Sequence, residues 1–182
     1  GIPAALFMAV TVTLARSMAR QFERPEEIVR RVSDELVKQN PRMMFVTMAC
    51  LVYDLRSGQV TCANAGHNPL VLFGPGRPPR FVFPSTGMVA GLFPGNSVCD
   101  ESMKLVPGDT LVLYTDGVTE AMNGVEELYG EARLQERLRN PADSPRTLID
   151  GVIADVKQHS AEATQSDDIT LLAVTYRGGH GA

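Results

Sequence analysis

The sequence has no excess of positive charge. Its 17 Lys+Arg face 21 Asp+Glu, a formal net charge of −4. Without a broad basic field, nucleic acid is excluded as an expected partner, and no strong basic patch is present to hold phosphate. Cysteine is scarce and odd in number. Cys50, Cys62 and Cys99 stand far apart, which argues against a disulfide framework and suits a reducing cytoplasm. No Cys/His spacing matches a zinc site. The apolar opening, "IPAALFMAVTVTLA", falls short of the roughly 20 residues of a membrane span. It also lacks the basic leader of a signal peptide. It reads as a buried core helix, although its β-branched run Val10–Thr13 is poorly suited to one. There is no internal repeat and no low-complexity tract. What remains is a chain of 182 residues, 44% hydrophobic, which suits one domain with a sizeable core.

Pro3 fits the first turn of a helix reaching about Phe22. A second helix starts at Pro25, with Glu26 and Glu27 favoured in its first turn. Ile28, Val29, Val32, Leu36 and Val37 form its apolar stripe, and Asn40–Pro41 ends it. Strands follow. "MFVTMACLVYDL" (44–55) is apolar on both faces and is expected to be covered on both. "RSG" is a turn, and "QVTCANA" returns as a hairpin partner. "PLVLF" is a strand, "GPGRPP" (74–79) a loop, and 81–83, 101–106 and 110–115 are further strands. Met43, Met44 and Met48 read as core filler. Residues 126–139 look helical with Gly130 interrupting. Ser144–Pro145 starts another helix, and "ITLLAVTY" is a last buried strand. Helices, many strands, helices and one strand predict an α+β fold with helices packed on antiparallel sheets.

Two acids share a setting. Asp116 ends an apparently buried strand in "LVLYTDGVTEA", and Asp167 and Asp168 stand just before another. A buried carboxylate is costly unless paired, hydrogen-bonded or bound to a metal. If the strands are neighbours, their ends bring the carboxylates together, and hard oxygen ligands suit Mg²⁺ or Mn²⁺. The alternative is that Asp116 caps a turn and Asp167 or Asp168 caps a loop. On these residues alone the capping reading is the stronger.

Four segments in register shift that balance. "GIPAALFMA", "NAGHNP", "GDTLVLYTDGVTEA" and "SDDITLLAV" together resemble the bacterial SpoIIE-like branch of metal-dependent (PPM-type) serine/threonine protein phosphatases, over roughly residues 1–177. The resemblance implies an α-β-β-α sandwich with two Mn²⁺ or Mg²⁺ ions and hydrolysis of phosphoserine or phosphothreonine. It places Asp116 and Asp167 as metal ligands and catalytic residues. Asp168 stands where relatives often have Asn, which puts it outside the direct ligands. Glu120 is expected at the surface or as a helix cap, Asp109 as a turn residue, and His67 as a turn-stabilising group. His159 and His180 carry no signal.

Relatives carry an acidic motif resembling D-V-S-G-K-G directly before "IPAALFMA", and here Gly1 stands where its last glycine would be. The resemblance therefore implies a phosphatase domain at 1–177 that lacks its first strands and a shared metal ligand, with a disordered tail at 178–182. Such a chain is expected to be a poor phosphatase alone. Its opening helix, with Leu6, Phe7 and Val10, is open to a homodimeric contact. The partners implied are a phosphorylated regulatory protein of anti-anti-sigma type as substrate and an upstream sensor or receiver domain. A catalytically inactive, phosphatase-like binding module is the other function class.

Overall fold

The computed structural model describes residues 1–38, 40–140, 143–161 and 168–178. They fall into two compact units, the first made of Gly1–His67 with Phe83–Leu105 and the second of Asn68–Val82 with Val106–Ala182. Each unit holds an antiparallel sheet with its own helices, the α+β composition expected.

In the first unit, α1 (Ile2–Met18) and α2 (Pro25–Lys38) accompany β1 (Met48–Tyr53), β2 (Gln59–Ala65) and β5 (Asp100–Lys104), in sheet order β1-β2-β5. The apolar stripe of α2 is buried as expected at Ile28, Val29, Val32 and Leu36. Its first turn is tied to β5 reciprocally. Glu26 N donates to Asp100 Oδ1 (2.7 Å), and Asp100 N donates to Glu26 Oε2 (3.1 Å).

The opening helix is not buried core. Phe7, Leu14, Ala15 and Met18 pack beside α2, but Ile2, Leu6, Met8 and Val10 are exposed, Leu6 at 63%. A helix covered on one side cannot bury an apolar surface that runs all round it. Its threonines are accommodated because Thr11 and Thr13 donate back to the carbonyls of Phe7 and Ala9, each at 2.8 Å. The strand expected from residue 44 begins only at Met48. Phe45 before it and Val52 within it are exposed, so β1, at the edge of its sheet, is not covered on both faces. Met43 is exposed as well, whereas Met44 is half-buried and Met48 packs, partly buried, against the core.

In the second unit, β3 (Leu70–Gly74), β4 (Arg77–Val82), β6 (Thr110–Tyr114) and β7 (Leu171–Thr175) form a sheet ordered β4-β3-β6-β7. The proline-bearing stretch expected as loop is strand from Arg77. It is tolerated because β4 lies at the edge, with a register shift opposite Leu72 and Gly74. β7 is the other edge, and Leu172 is exposed, so the last strand is only partly buried. β6 lies between β3 and β7, which explains its apolar run: Leu111, Val112 and Tyr114 are all buried.

Among the described residues three helices complete this unit: α3 (Asp116–Thr119), α4 (Gly130–Leu138) and α5 (Pro145–His159). Gly130 opens α4 instead of interrupting it. Its φ of +76° is the left-handed conformation that a helix interior excludes. Ser144 caps α5 by accepting from Thr147 N at 3.1 Å, with Pro145 in the first turn. Leu148, Val152 and Val156 on α5 join Leu134 and Leu138 on α4 and Val71 and Val112 on the sheet in one core cluster.

Candidate active site

β6 and β7 are antiparallel neighbours, with Tyr114 opposite Leu171. The end of one strand therefore lies beside the entry to the other, as the sequence pattern required for its two acids. The pairing extends beyond both strands through Thr115. Thr115 N donates to Thr170 O (3.0 Å), and Thr115 Oγ1 accepts from Thr170 N (2.9 Å) and donates to Asp168 O (2.8 Å). A single hydroxyl used as donor and acceptor fixes the 168–170 segment against the residue before Asp116.

Asp116 is the first residue of α3, and it is exposed, not buried. Its Oδ1 accepts from Gly117 N at 3.0 Å, and among the described residues it makes no ion pair. The carboxylate thus needs no cation to offset lost hydration. It is instead a solvent-facing, hard oxygen donor held on a short helix whose floor, Gly117 and Val118, is buried. Asp167 lies outside the described residues. Asp168 is exposed, and the Thr115 contact uses its backbone carbonyl. Glu120 is the exposed C-cap of α3, as expected of a surface or capping residue. Among the described residues no three His, Cys, Asp or Glu side chains gather as a metal-binding group. Asp116 fits a divalent ion by donor type and exposure, as one ligand that requires others.

The "NAGHNP" segment is a built turn, and its working residue is Asn64, which the sequence reading did not single out. Asn64 is buried; its Nδ2 donates to Phe83 O (2.9 Å) and His67 O (3.0 Å), and its Oδ1 accepts from His67 N (2.8 Å). Gly66 is required in the same turn. It has φ +74°, and a Cβ there would lie 2.5 Å from Val89 Cγ1. His67 takes part through its backbone N–H and carbonyl, and its ring lies 3.5 Å from Thr47 Oγ1.

Asp109 is more than a turn residue. Its Oδ2 does accept from Val106 N at 2.8 Å, yet the carboxylate is 1% exposed and forms an ion pair with Arg77. His159 also has a place: its ring meets Tyr129 edge-on with centroids 5.7 Å apart, and its Nε2 lies 3.0 Å from Glu127 O. His180 is outside the described residues. Signals for the missed residues were present but weak. Threonine is a favoured N-cap type, and Thr115 stands between a strand and a helix. Asn64 is a polar residue inside a strand, which burial obliges to be hydrogen-bonded.

The chain matches the family model described as Stage II sporulation protein E (SpoIIE) over residues 1–177. It is 34% identical over 148 residues to Protein IcfG of Synechocystis, covering 80% of this chain and 23% of that protein. It is 30% identical over 162 residues to Phosphoserine phosphatase RsbU of Bacillus subtilis, covering 82% of this chain and 48% of that protein. The chain thus spans less than half the length of these two relatives. Among solved structures, the SiaA-PP2C domain of Pseudomonas aeruginosa superposes with a TM-score of 0.82 at 21% identity. That match covers 97% of this chain and 71% of that one, and it shows the fold. Among the described residues no helix is long and apolar enough to cross a membrane.

Proposed function

Because the chain belongs to the SpoIIE family of PPM-type protein serine/threonine phosphatases, we propose that residues 1–177 serve as a phosphatase domain. In this reading it hydrolyses phosphoserine or phosphothreonine on a bacterial regulatory protein of the anti-anti-sigma type, as the output of a signalling protein. Water attacks phosphorus, the bond from phosphorus to the side-chain oxygen breaks, and inorganic phosphate leaves a free hydroxyl. Asp116 and Asp167 are the proposed ligands of two Mn²⁺ or Mg²⁺ ions, which when bound supply Lewis acidity and charge neutralisation.

The observation that carries the reading is the position of Asp116. It stands exposed one residue beyond the Thr115–Thr170 contact, at the strand end that adjoins the approach to β7. Thr115 orients that end, and the buried floor of α3 keeps Asp116 facing solvent where a phosphoprotein can reach it. RsbU, a relative, is named for phosphoserine, which supports that substrate class. A sensor or receiver domain in the same natural protein is the proposed source of the activating signal. The exposed Leu6 and Val10 of α1 support a homodimeric contact.

The test is metal-dependent phosphate release from a panel of phosphorylated bacterial regulators, using the longest natural form that carries residues 1–182. Asp116→Asn and Asp167→Asn are each expected to cut turnover about 100-fold with the fold intact. Unchanged turnover in either variant sinks the site. Preference for free nucleotides or phosphosugars over every phosphoprotein sinks the substrate class.

A further inference from the structure

The second unit contains a cavity of about 570 Å³ that the phosphatase reading does not use. Thr110, at the start of β6, lies in its wall, while Asp116 follows the other end of that strand. At about 3.4 Å per residue, the two are roughly 20 Å apart along the chain. A volume between about 300 and 1,000 Å³ is that of a small-molecule site.

The chemistry of the wall is divided. Phe73, Pro75, Pro78, Pro145 and Leu148 give it apolar, rigid surface. Arg77, Arg139 and Arg177 also line it, against one lining carboxylate, Asp143. These arginines are distant in sequence, which is why no basic patch is visible there. Two of them are partly neutralised, Arg77 by buried Asp109 and Arg139 by Glu136 at 3.0 Å. Among the described residues Arg177 has no carboxylate partner, and it is exposed. Thr110 and Thr175 share a hydrogen bond at 2.8 Å in the same wall, so their hydroxyls are already oriented.

We propose that this cavity binds a small organic anion with a flat apolar body, an aryl or heteroaryl carboxylate, sulfonate or phosphate of about mononucleotide size. The prolines and Phe73 take the flat body. A guanidinium fork takes the anionic group, with Arg177 as its principal partner, because planar paired donors match such oxygens. The proline- and glycine-rich stretch 74–79, which the phosphatase reading leaves without a role, becomes one wall of the site.

The probe is 8-anilinonaphthalene-1-sulfonate, which carries both features and has no phosphate to hydrolyse. Fluorescence titration of the full chain is expected to show saturable binding that weakens with added salt. Arg177→Ala and Arg139→Ala are each expected to weaken it about tenfold, since charge-assisted contacts are lost. Asp143→Asn is expected to tighten it about threefold by removing a like charge from the wall. Because this dye also binds loosened, partly folded chains, each variant is compared at matched near-ultraviolet circular dichroism and unfolding midpoint, so that gains and losses report the site. Leu6→Ser on α1, where exposed apolar surface also lies, is expected to leave binding unchanged. Absence of saturable binding, affinity unchanged from the parent protein in both arginine variants, weaker binding by Asp143→Asn, or loss with Leu6→Ser would each overturn the proposal.

Discussion

Thr115, just after the last residue of β6, and Thr170, just before the first residue of β7, exchange two hydrogen bonds, through Thr115 N to Thr170 O and Thr170 N to Thr115 Oγ1. The second of these replaces a ladder bond with a side-chain bond. That frees the chain to turn into α3 at the very next residue. Replacing the hydroxyl by a methyl, Thr115→Val, leaves Thr170 N and Asp168 O without this partner. The expected cost is about 1–2 kcal/mol in urea unfolding. Thr115→Ser should keep both stability and turnover. If valine is as stable and as active as threonine, the contact does not position the site.

Asn64 closes its turn with three hydrogen bonds. Asn64→Ala is expected to cost about 2–3 kcal/mol, because it leaves buried backbone groups unpaired. Asn64→Asp is the sharper probe. An ionised carboxylate cannot donate to the carbonyls of Phe83 and His67, whereas a protonated one can donate once. Its penalty should therefore be larger at neutral pH than near pH 4, measured as the shift in unfolding midpoint. A penalty that grows on acidification would contradict the bonding pattern.

The Arg77–Asp109 pair is unequal, since Asp109 is buried and Arg77 is 46% exposed. Removing Asp109 also frees Val106 N, so Asp109→Ala is expected to cost about 2–3 kcal/mol. Arg77→Met should cost less, about 1 kcal/mol, because water can approach the carboxylate from the side the arginine leaves. Equal costs in thermal or urea unfolding would mean that the pair acts as an isolated bridge.

Burial pushes the Cys62 thiol up to about 12 and the Cys50 thiol up to about 11, with nearby acids adding to both. Their protonated forms stabilise the fold fully below the unfolded value of about 8.5. That contribution is lost as the pH rises toward about 11 and about 12. Unfolding midpoints should fall from pH 9 upward, and Cys50→Ala/Cys62→Ala should flatten part of the decline. At pH 8 a thiol reagent should label exposed Cys99 first. Rapid labelling of Cys62 in the folded chain would contradict its burial.

Much of this architecture was legible in local pattern. The stripe on α2, the cap at Ser144 and the hairpin before and after "RSG" depend on near neighbours, and they stand where the sequence put them. What failed depended on cover. The opening helix and residues 44–47 are apolar enough for a core, but apolarity does not say whether a second layer exists to bury them. The same gap misjudged Asp116. A strand as apolar as β6 suggested a buried end, whereas its last neighbour leaves the acid in solvent. Arg77 and Asp109 lie 32 residues apart, and only the pairing of β3 with both β4 and β6 brings them together. The placement of Asp116 beside the approach to β7 was legible because both acids sat at ends of apolar runs. The Thr115 hydroxyl that secures it required the register.

Pro78 and Pro79 on β4 have a consequence for the protein in a crowded solution. Neither proline has a backbone N–H, and both fall in the irregular stretch of β4 between Arg77, opposite Gly74, and Arg80, opposite Leu72. The register shift near Leu72 and Gly74 accommodates them beside β3. At these positions an approaching strand meets proline rings and no donor. Aggregation by strand addition is thus hindered at this border of the sheet by covalent structure, without charge, and the protection persists at high salt, where electrostatic guarding of an edge would fade.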